Sequence, residues 1–226
     1  LIMLSYTKRP WVLSGVLFIT LVACDTPPVG PARIASPTDG YAQNYMIAAA
    51  HPLASKAGLE TLRIGGSAAD AAIAAQMVLS LVEPQSSGIG GGAFLLHYNA
   101  KSGVIESFDG RETAPKSAHP KMFLMANGKP KKFFDAVVGG SAVGVPGLVR
   151  MLEMVHQEHG NLPWADLFRP AIQIAEKGFP VSSRLAGQLS REKYLRKTPA
   201  ALGYFYHPNG ANKLAGTILK NPAFAA

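Results

Sequence analysis

Apolar positions near the start of the folded part predict a strand followed by a helix. Met46 to Ala50 is a short apolar run, which is typical of a buried strand. Pro52 suits the first turn of a helix, and the apolar residues that follow it at helical spacing end at Gly65-Gly66. We therefore predict that the folded part starts near Asn44 with a strand and then a helix.

A second helix is predicted from Ala68 to about Val82, a stretch rich in alanine. Ser67 and Asp70 have the spacing of a capping box, in which each side chain binds the backbone amide of the other residue. Small side chains let a neighbouring helix or sheet approach the backbone closely. We interpret these alanines as packing residues.

Strand-like and helical runs also alternate farther along the chain. Phe94 to Tyr98 and Val104 to Phe108 are strand-like and are joined by the turn-forming stretch Asn99 to Gly103, which predicts a hairpin. Leu148 to His159 and Pro170 to Lys177 have helical spacing, and each is followed by a glycine. The pattern indicates helices and strands mixed in one domain.

The first residues have the pattern of a leader. Lys8 and Arg9 precede an apolar run from Trp11 to Ala23, which is too short to be a spanning helix. The run ends in Leu21-Val22-Ala23-Cys24, which is similar to the bacterial lipobox, where the cysteine thiol receives diacylglycerol. Cys24 is the only cysteine, so no intramolecular disulfide is expected. The alternative interpretation is a buried thiol in a hydrophobic segment.

The leader divides the chain into three parts. We predict a lipoprotein signal peptide over 1–24, a flexible tether rich in Pro, Gly, Ser and Thr over 25–43, and a single domain over 44–226. The protein is then exported and lipid-anchored to the bacterial cell membrane, facing the periplasm, with membrane contact only through the lipid. The last residues lack a helix cap or a polar tail, and we expect the chain to be a fragment.

Composition and charge exclude two classes of protein. The 226 residues are 48% hydrophobic and 16% charged, which is globular rather than disordered. Lys plus Arg number 22 against 14 Asp plus Glu, and without Lys8 and Arg9 the balance is 20 against 14, or +6. Basic residues are dispersed, and the densest run, Lys129 to Lys132, is interpreted as a solvated loop. We expect no nucleic-acid partner.

Three motifs are rejected on their context. The glycine loop from Gly88 to Ala93 fits a loose dinucleotide fingerprint by letter, but a helix precedes it and a strand follows, the reverse of what that site needs. Its glycines suit a backbone that passes close to something else. His156 and His159 lack an evident third ligand and are interpreted as a solvated helix end, so no metal is expected. Ser86 and Ser87 have neither a nucleophile elbow nor an obvious base.

Arg111 lies in a charged turn, Asp109 to Pro115, at the end of a predicted strand. Its planar guanidinium could bind a carboxylate through two parallel hydrogen bonds, which lysine cannot do. An exposed ion pair between Arg111 and Asp109 or Glu112 explains the same residues. Spacing and composition leave both interpretations open.

Four stretches, in their order and separations, resemble the γ-glutamyltransferase family. The similarity extends from about Met46 to Ala226, and the second and third stretches are the most specific. These stretches are Gly65 to Ala71, Glu83 to Gly92, Asp109 to Pro115 and Gly144 to Gly147.

The resemblance implies an α+β chain with the four-layer αββα fold of the N-terminal-nucleophile hydrolases. In that family the precursor cleaves itself into a large and a small subunit, and this chain matches only the large-subunit side. The fold is then incomplete here, because strands of the central sheets would lack partners.

The resemblance also implies the chemistry. A threonine at the new N-terminus of the small subunit attacks the γ-glutamyl amide of glutathione or a related compound, and a γ-glutamyl enzyme forms. Water, an amino acid or a peptide then accepts the γ-glutamyl group. Arg111 takes the position that binds the substrate's α-carboxylate.

No catalytic residue is assigned within this chain, since the threonine belongs to sequence beyond Ala226. The chain alone is expected to be inactive, and no cofactor is expected. The alternative is a non-catalytic exported solute-binding or envelope lipoprotein.

Overall fold

The computed structural model describes residues 42–226, so the predicted signal peptide with Cys24 and most of the tether lie outside the described residues. Helices and short strands alternate along the described part. The α-helices are α1 (Pro52–Arg63), α2 (Ala68–Val82), α3 (Phe133–Val137), α4 (Leu148–His159), α5 (Arg169–Lys177), α6 (Ser183–Arg191), α7 (Pro199–Phe205) and α8 (Pro222–Ala225). The strands are β1 (Ala93–Asn99), β2 (Val104–Gly110), β3 (Phe179–Pro180) and β4 (Ile218–Leu219).

Helix α2 is the centre of the described domain and begins at the predicted capping box. The Ser67 backbone N–H donates to Asp70 Oδ2 at 2.8 Å, and the Asp70 N–H donates to Ser67 Oγ at 3.1 Å. The two helices α1 and α2 pack on each other, and buried alanines occur on both: Ala54, Ala57, Ala69, Ala71, Ala74 and Ala75. Both predicted helices, and the packing role of the alanines, are confirmed.

The predicted hairpin is an antiparallel pair with β1 opposite β2. Its inner face carries Leu95 opposite Phe108 and His97 opposite Glu106, all partly buried. Its outer face carries Phe94, Leu96 and Tyr98, which are 70%, 74% and 62% exposed. Helix α4 packs against β2. The hairpin therefore has one face against the core and one apolar face in contact with water.

The later helices complete the core around α2. Helices α4 and α5 agree with the predicted runs 148–159 and 170–177, with α5 starting one residue earlier. The loop after α4 is held to α2 by Asp70 Oδ2, which also accepts hydrogen bonds from the backbone N–H groups of Asn161 and Leu162 at 2.8 and 3.2 Å. A short antiparallel pair, β3 with β4, adds the buried side chains of Phe179 and Leu219 to the same core.

The strand predicted over 46–50 is wrong. Residues in this range are in no ladder within the described part of the chain. Instead Ile47 and Ala49 pack against the core, and the Ala49 N–H donates to Ser55 Oγ at 3.1 Å. An apolar run marks burial, but a strand also needs a hydrogen-bonding partner, which the run itself does not specify.

Among the described residues, no helix has the length and apolar character that a membrane span requires.

The basic run 129–132 lies in a loop, where Leu124 and Pro130 form an isolated bridge. Lys129, Pro130 and Lys132 are exposed. The interpretation of this run as a solvated loop is confirmed.

Candidate substrate-binding site

Arg111 lies where three separate segments of the chain meet. It follows the last residue of β2, and its backbone N–H donates to Asp109 Oδ1 at 2.9 Å, which fixes the turn. Two backbone hydrogen bonds between Thr113 and Val145, of 3.3 and 2.9 Å, join this turn to the segment before α4. The turn is thus positioned from both sides.

The glycine loop forms the third side of this junction. The Gly91 carbonyl accepts hydrogen bonds from the N–H groups of Gly147 and Leu148, at 3.2 and 3.1 Å, and so binds the first turn of α4. A Cβ at Gly92 would lie 2.6 Å from Glu112 Oε2, and a Cβ at Gly147 would overlap the Gly110 carbonyl. Only glycine permits these approaches. The prediction that the loop passes close to another part of the molecule is confirmed.

The loop is not a dinucleotide site by its context. Helix α2 precedes it and β1 follows it, which is the order inferred from the sequence. A pyrophosphate site of that kind needs a strand before the loop and a helix after it, so that the phosphates meet a helix N-terminus.

A cleft of about 320 Å³ opens beside Arg111. It is lined by Arg111, Glu112, Thr113, Ala118, Phe123 and Ser141, among others. The Arg111 side chain is 66% exposed and its Nη1 donates to Glu112 Oε2 at 2.5 Å. The ion pair considered from the sequence is therefore present with Glu112, while most of the guanidinium remains accessible from the cleft.

A buried carboxylate at the start of the glycine-loop segment was not found from the sequence. Glu83 is 2% exposed and its Oε2 accepts from Arg184 Nη1 at 3.0 Å and from Gln85 Nε2 at 2.5 Å. Burial lowers the pKa of His51, and the nearby charge of Glu83 raises it in part. The sequence carries no local signal for this cluster, because its members come from distant positions.

The two serines of this segment bind neighbouring side chains. Ser87 Oγ accepts from Gln76 Nε2 at 2.5 Å, and Ser86 Oγ accepts from Arg184 Nη2 at 3.0 Å. These contacts connect the middle of α2 and the start of α6 to the segment that leads into the glycine loop. They give both serines a structural role in positioning the loop.

The histidines at the end of α4 do not form a solvated helix end, and that interpretation is wrong. The side chains of His156 and His159 are only 18% and 16% exposed. His156 Nε2 lies 2.8 Å from the Leu162 carbonyl, because the loop after α4 folds back over it. His159 instead stacks on His97 of the hairpin, with ring centroids 3.8 Å apart.

Comparison with known proteins places the chain in a family. The family model described as Gamma-glutamyltranspeptidase matches residues 54–226. The chain belongs to this family. It is 41% identical over 220 residues to the glutathione hydrolase proenzyme of Bacillus subtilis strain 168, covering 94% of this chain and 37% of that protein. It is 40% identical over 167 residues to the capsule biosynthesis protein CapD proenzyme of Bacillus anthracis, covering 74% of this chain and 27% of that protein.

Solved structures give the same result. The gamma-glutamyltranspeptidase of Helicobacter pylori matches with a TM-score of 0.77 and 32% identity, covering 82% of this chain and 53% of that chain. The enzyme of Pseudomonas nitroreducens, complexed with L-DON, matches with a TM-score of 0.73 and 33% identity, over the same shares of each chain. The chain thus spans about 37% of the first curated relative's length and 53% of the H. pylori chain.

The predicted family and fold class are confirmed by these comparisons. The fold is that of the gamma-glutamyltranspeptidases, which are N-terminal-nucleophile hydrolases, and the described residues contain only part of its sheets and helices. Three of the four stretches that carried the resemblance meet at the junction around Arg111: the glycine loop, the turn after β2 and the segment before α4.

Proposed function

We propose that this chain is part of a γ-glutamyltransferase that removes the γ-glutamyl group from glutathione and related γ-glutamyl amides. Membership of the gamma-glutamyltranspeptidase family and the names of its relatives, which include glutathione hydrolases, support this activity. The observation that carries the proposal is the exposed Arg111 guanidinium beside a cleft, held by a junction of three family stretches.

In this proposal Arg111 binds the α-carboxylate of the γ-glutamyl group. Its planar guanidinium offers five donors, and the contact with Glu112 uses one of the two terminal nitrogens. The remaining N–H groups can donate two parallel hydrogen bonds to the oxygens of a carboxylate. Glu112 would keep the guanidinium oriented before substrate arrives, so that less side-chain entropy is lost on binding.

The nucleophile is supplied by the small subunit of the same precursor. Its N-terminal threonine Oγ attacks the γ-carbonyl carbon, and the threonine's α-amino group takes the hydroxyl proton. The amide C–N bond then breaks, the leaving amine receives that proton, and a γ-glutamyl ester remains on the threonine. Water or the amine of an amino acid or peptide attacks the ester, which releases the product and restores the hydroxyl.

A γ-glutamyl anilide assay on the full-length protein tests this function. The processed protein should release the aniline, and free amino acids should divert part of the γ-glutamyl group into a transfer product. The 226-residue chain alone should release none, since it lacks the threonine. Reversible glutathione binding without turnover by the full-length protein would instead identify a solute-binding lipoprotein, and neither binding nor turnover would identify a structural one.

The proposed enzyme is exported and anchored through lipid at Cys24, with its domain in the periplasm. The basic residues Lys8 and Arg9, the apolar run and the Leu21-Val22-Ala23-Cys24 ending support this proposal. Stable anchoring needs more than one acyl chain, so the mature protein should begin at a multiply acylated Cys24. Mass spectrometry of the membrane fraction tests it, and a free Cys24 thiol or a different first residue would contradict it.

A further inference from the structure

His97, Glu106 and His159 converge on one point of the inner face of the hairpin. His97 Nδ1 lies 3.5 Å and His159 Nε2 lies 3.0 Å from the same atom, Glu106 Oε2. The three potential ligand atoms all lie within 4.8 Å of one another. Two imidazoles and a carboxylate form one of the ligand sets that zinc takes in proteins.

The fold itself brings these side chains together. His97 and Glu106 are direct cross-strand partners in β1 and β2. Met151, which contacts Gly110, lies two helical turns before His159 on the same face of α4. Four residues of a helix rise about 6 Å along its axis, and two residues of a strand rise about 6.6 Å. Moving from Met151 to His159 along α4 therefore covers nearly the same distance as moving from Gly110 to Glu106 along β2. His159 therefore lies over Glu106, four residues before Gly110.

Two imidazole nitrogens at this point have no hydrogen-bond partner in the described part of the chain. Among the described residues, His97 Nδ1 and His159 Nε2 are both buried and neither makes a hydrogen bond, although each faces Glu106 Oε2. The two rings are stacked nearly parallel, with an interplanar angle of 13°, so one ring must turn about its Cβ–Cγ bond for both lone pairs to meet a single ion. Buried polar atoms without partners are costly, and a cation bound by both nitrogens and the carboxylate would satisfy all three groups.

We propose that His97, Glu106 and His159 bind a divalent transition-metal ion of the zinc class. Zinc–ligand bonds of about 2.0–2.2 Å place tetrahedral ligand atoms about 3.3 Å apart. The separations of the two nitrogens from Glu106 Oε2, 3.0 and 3.5 Å, bracket that value, and the third pair lies within 4.8 Å. Glu106 is 38% exposed, which leaves room for water as the fourth ligand. Glu158, with an oxygen 4.0 Å from His159 Nε2, adds negative charge at the rim.

The site is separate from the proposed substrate site. Glu106 precedes Arg111 by five residues of extended chain, which is about 16 Å. The ion would join the last turn of α4 to the middle of the hairpin, and so stabilise the inner face of the β1–β2 pair. Because it binds the folded state, the ion should raise the melting temperature.

Zinc titration of the full-length protein tests the proposal. The protein is purified with a histidine-free tag and stripped with EDTA, then titrated with Zn²⁺ by calorimetry and melted with and without the ion. We expect one ion per chain, a Kd at or below about 10 µM, and a higher melting temperature with Zn²⁺. His97→Gln, Glu106→Gln and His159→Gln should each weaken binding at least about 100-fold. His207→Gln, a change at an exposed histidine, should bind like wild type.

X-ray absorption spectroscopy of the zinc-loaded wild type identifies the atoms bound to the ion, and it remains informative if a variant does not fold. Nitrogen and oxygen neighbours at about 2.0–2.2 Å, including two imidazoles, are expected. Absence of binding, equal binding by the three site variants, or a sulfur neighbour from Cys24 would each overturn the proposal. In the first of these cases, the cluster would be a histidine–glutamate ion pair only.

Discussion

Arg184 donates a hydrogen bond of 3.0 Å to the carboxylate of Glu83, a side chain that is 3% exposed and lies in a distant part of the sequence. Ser182 Oγ, at the start of the same helix, lies 3.4 Å from the other carboxylate oxygen. Glu83 directly follows Val82, the last residue of α2. This contact therefore attaches α6 to the point from which the glycine-loop segment departs.

Removing the Arg184 guanidinium should destabilise the protein, because the buried carboxylate of Glu83 then loses its positively charged partner. We expect Arg184→Met to lower the free energy of unfolding by about 1–3 kcal/mol, toward the lower end because Arg184 is itself 53% exposed and water can replace part of the contact. Arg150→Met is the matched control, since Arg150 is 66% exposed and pairs with Glu153 on the surface. It should change the value by less than about 1 kcal/mol. Equal effects of the two variants in urea unfolding would contradict the prediction.

The Asp70 side chain stabilises two segments at once, and truncating it should lower the stability of the protein strongly. Its carboxylate caps α2 through Ser67 and also binds the N–H groups of Asn161 and Leu162. Asp70→Ala removes the common acceptor of three part-buried hydrogen bonds, and we expect a loss of at least about 3 kcal/mol. Ser67→Ala removes only the cap bond and should cost about 1 kcal/mol. Thermal unfolding of the two variants side by side measures the difference, and a similar loss for both would show that the contacts after α4 contribute nothing.

Stability should fall as the pH drops below the ordinary histidine range. Burial lowers the folded-state pKa of His51, with a partial opposing effect of Glu83, so the unfolded state binds a proton first. The contribution of His51 is complete above its unfolded pKa of about 6.5 and is lost as the pH falls below it. Protonation also removes the helix cap, in which His51 Nδ1 accepts from the Leu53 N–H at 3.2 Å.

The variant His51→Asn isolates this effect, because asparagine can cap a helix but does not titrate. Melting temperatures measured between about pH 7.5 and 5.5 should fall more steeply for the wild type than for His51→Asn. Parallel curves for the two proteins would assign the pH dependence to other groups.

Arg111 should control both the rate and the recognition of the α-carboxylate in the full-length enzyme. Losing one side of a desolvated charged pair costs about 2–5 kcal/mol, so Arg111→Ala should lower kcat/KM by about 30-fold to several thousand-fold. Arg111→Lys should also be impaired, since an ammonium group cannot form two parallel hydrogen bonds. Autoprocessing should survive both changes, because the scissile bond of the precursor carries no free α-carboxylate.

The decisive measurement compares γ-glutamyl anilide with the analogue that lacks the α-carboxylate. Wild type should discriminate strongly between the two substrates and Arg111→Ala weakly. Arg63→Ala is a control for a surface arginine, which pairs with Glu60 at 2.7 Å and is 53% exposed. If Arg111→Ala matures and keeps the wild-type preference, Arg111 is only the ion-pair partner of Glu112.

The bounds of α1, α2, α4 and α5 could be predicted from the sequence because their signals are local, whereas α3, α6, α7 and α8 were not predicted. Ser67 and Asp70 define the start of α2, and a glycine follows both α4 and α5. The residues that such signals cannot place are those whose partners are far away in the chain. His159 looked like the end of a solvated helix, yet its neighbours include three residues of the hairpin. Arg111 is proposed as a substrate ligand only through family resemblance, since its ion pair with Glu112 looks ordinary on its own.

The outer face of the hairpin has a consequence for production of the chain by itself. Phe94, Leu96 and Tyr98 form an apolar row at alternate positions, each more than half exposed. A two-stranded sheet is marginally stable in water, and an exposed apolar strand pairs readily with copies of itself. Net positive charge of +8 gives long-range repulsion, but salt screens this over about 10 Å. Aggregation of the isolated chain should therefore become worse as salt is added, and chaperones that bind exposed apolar segments should delay it.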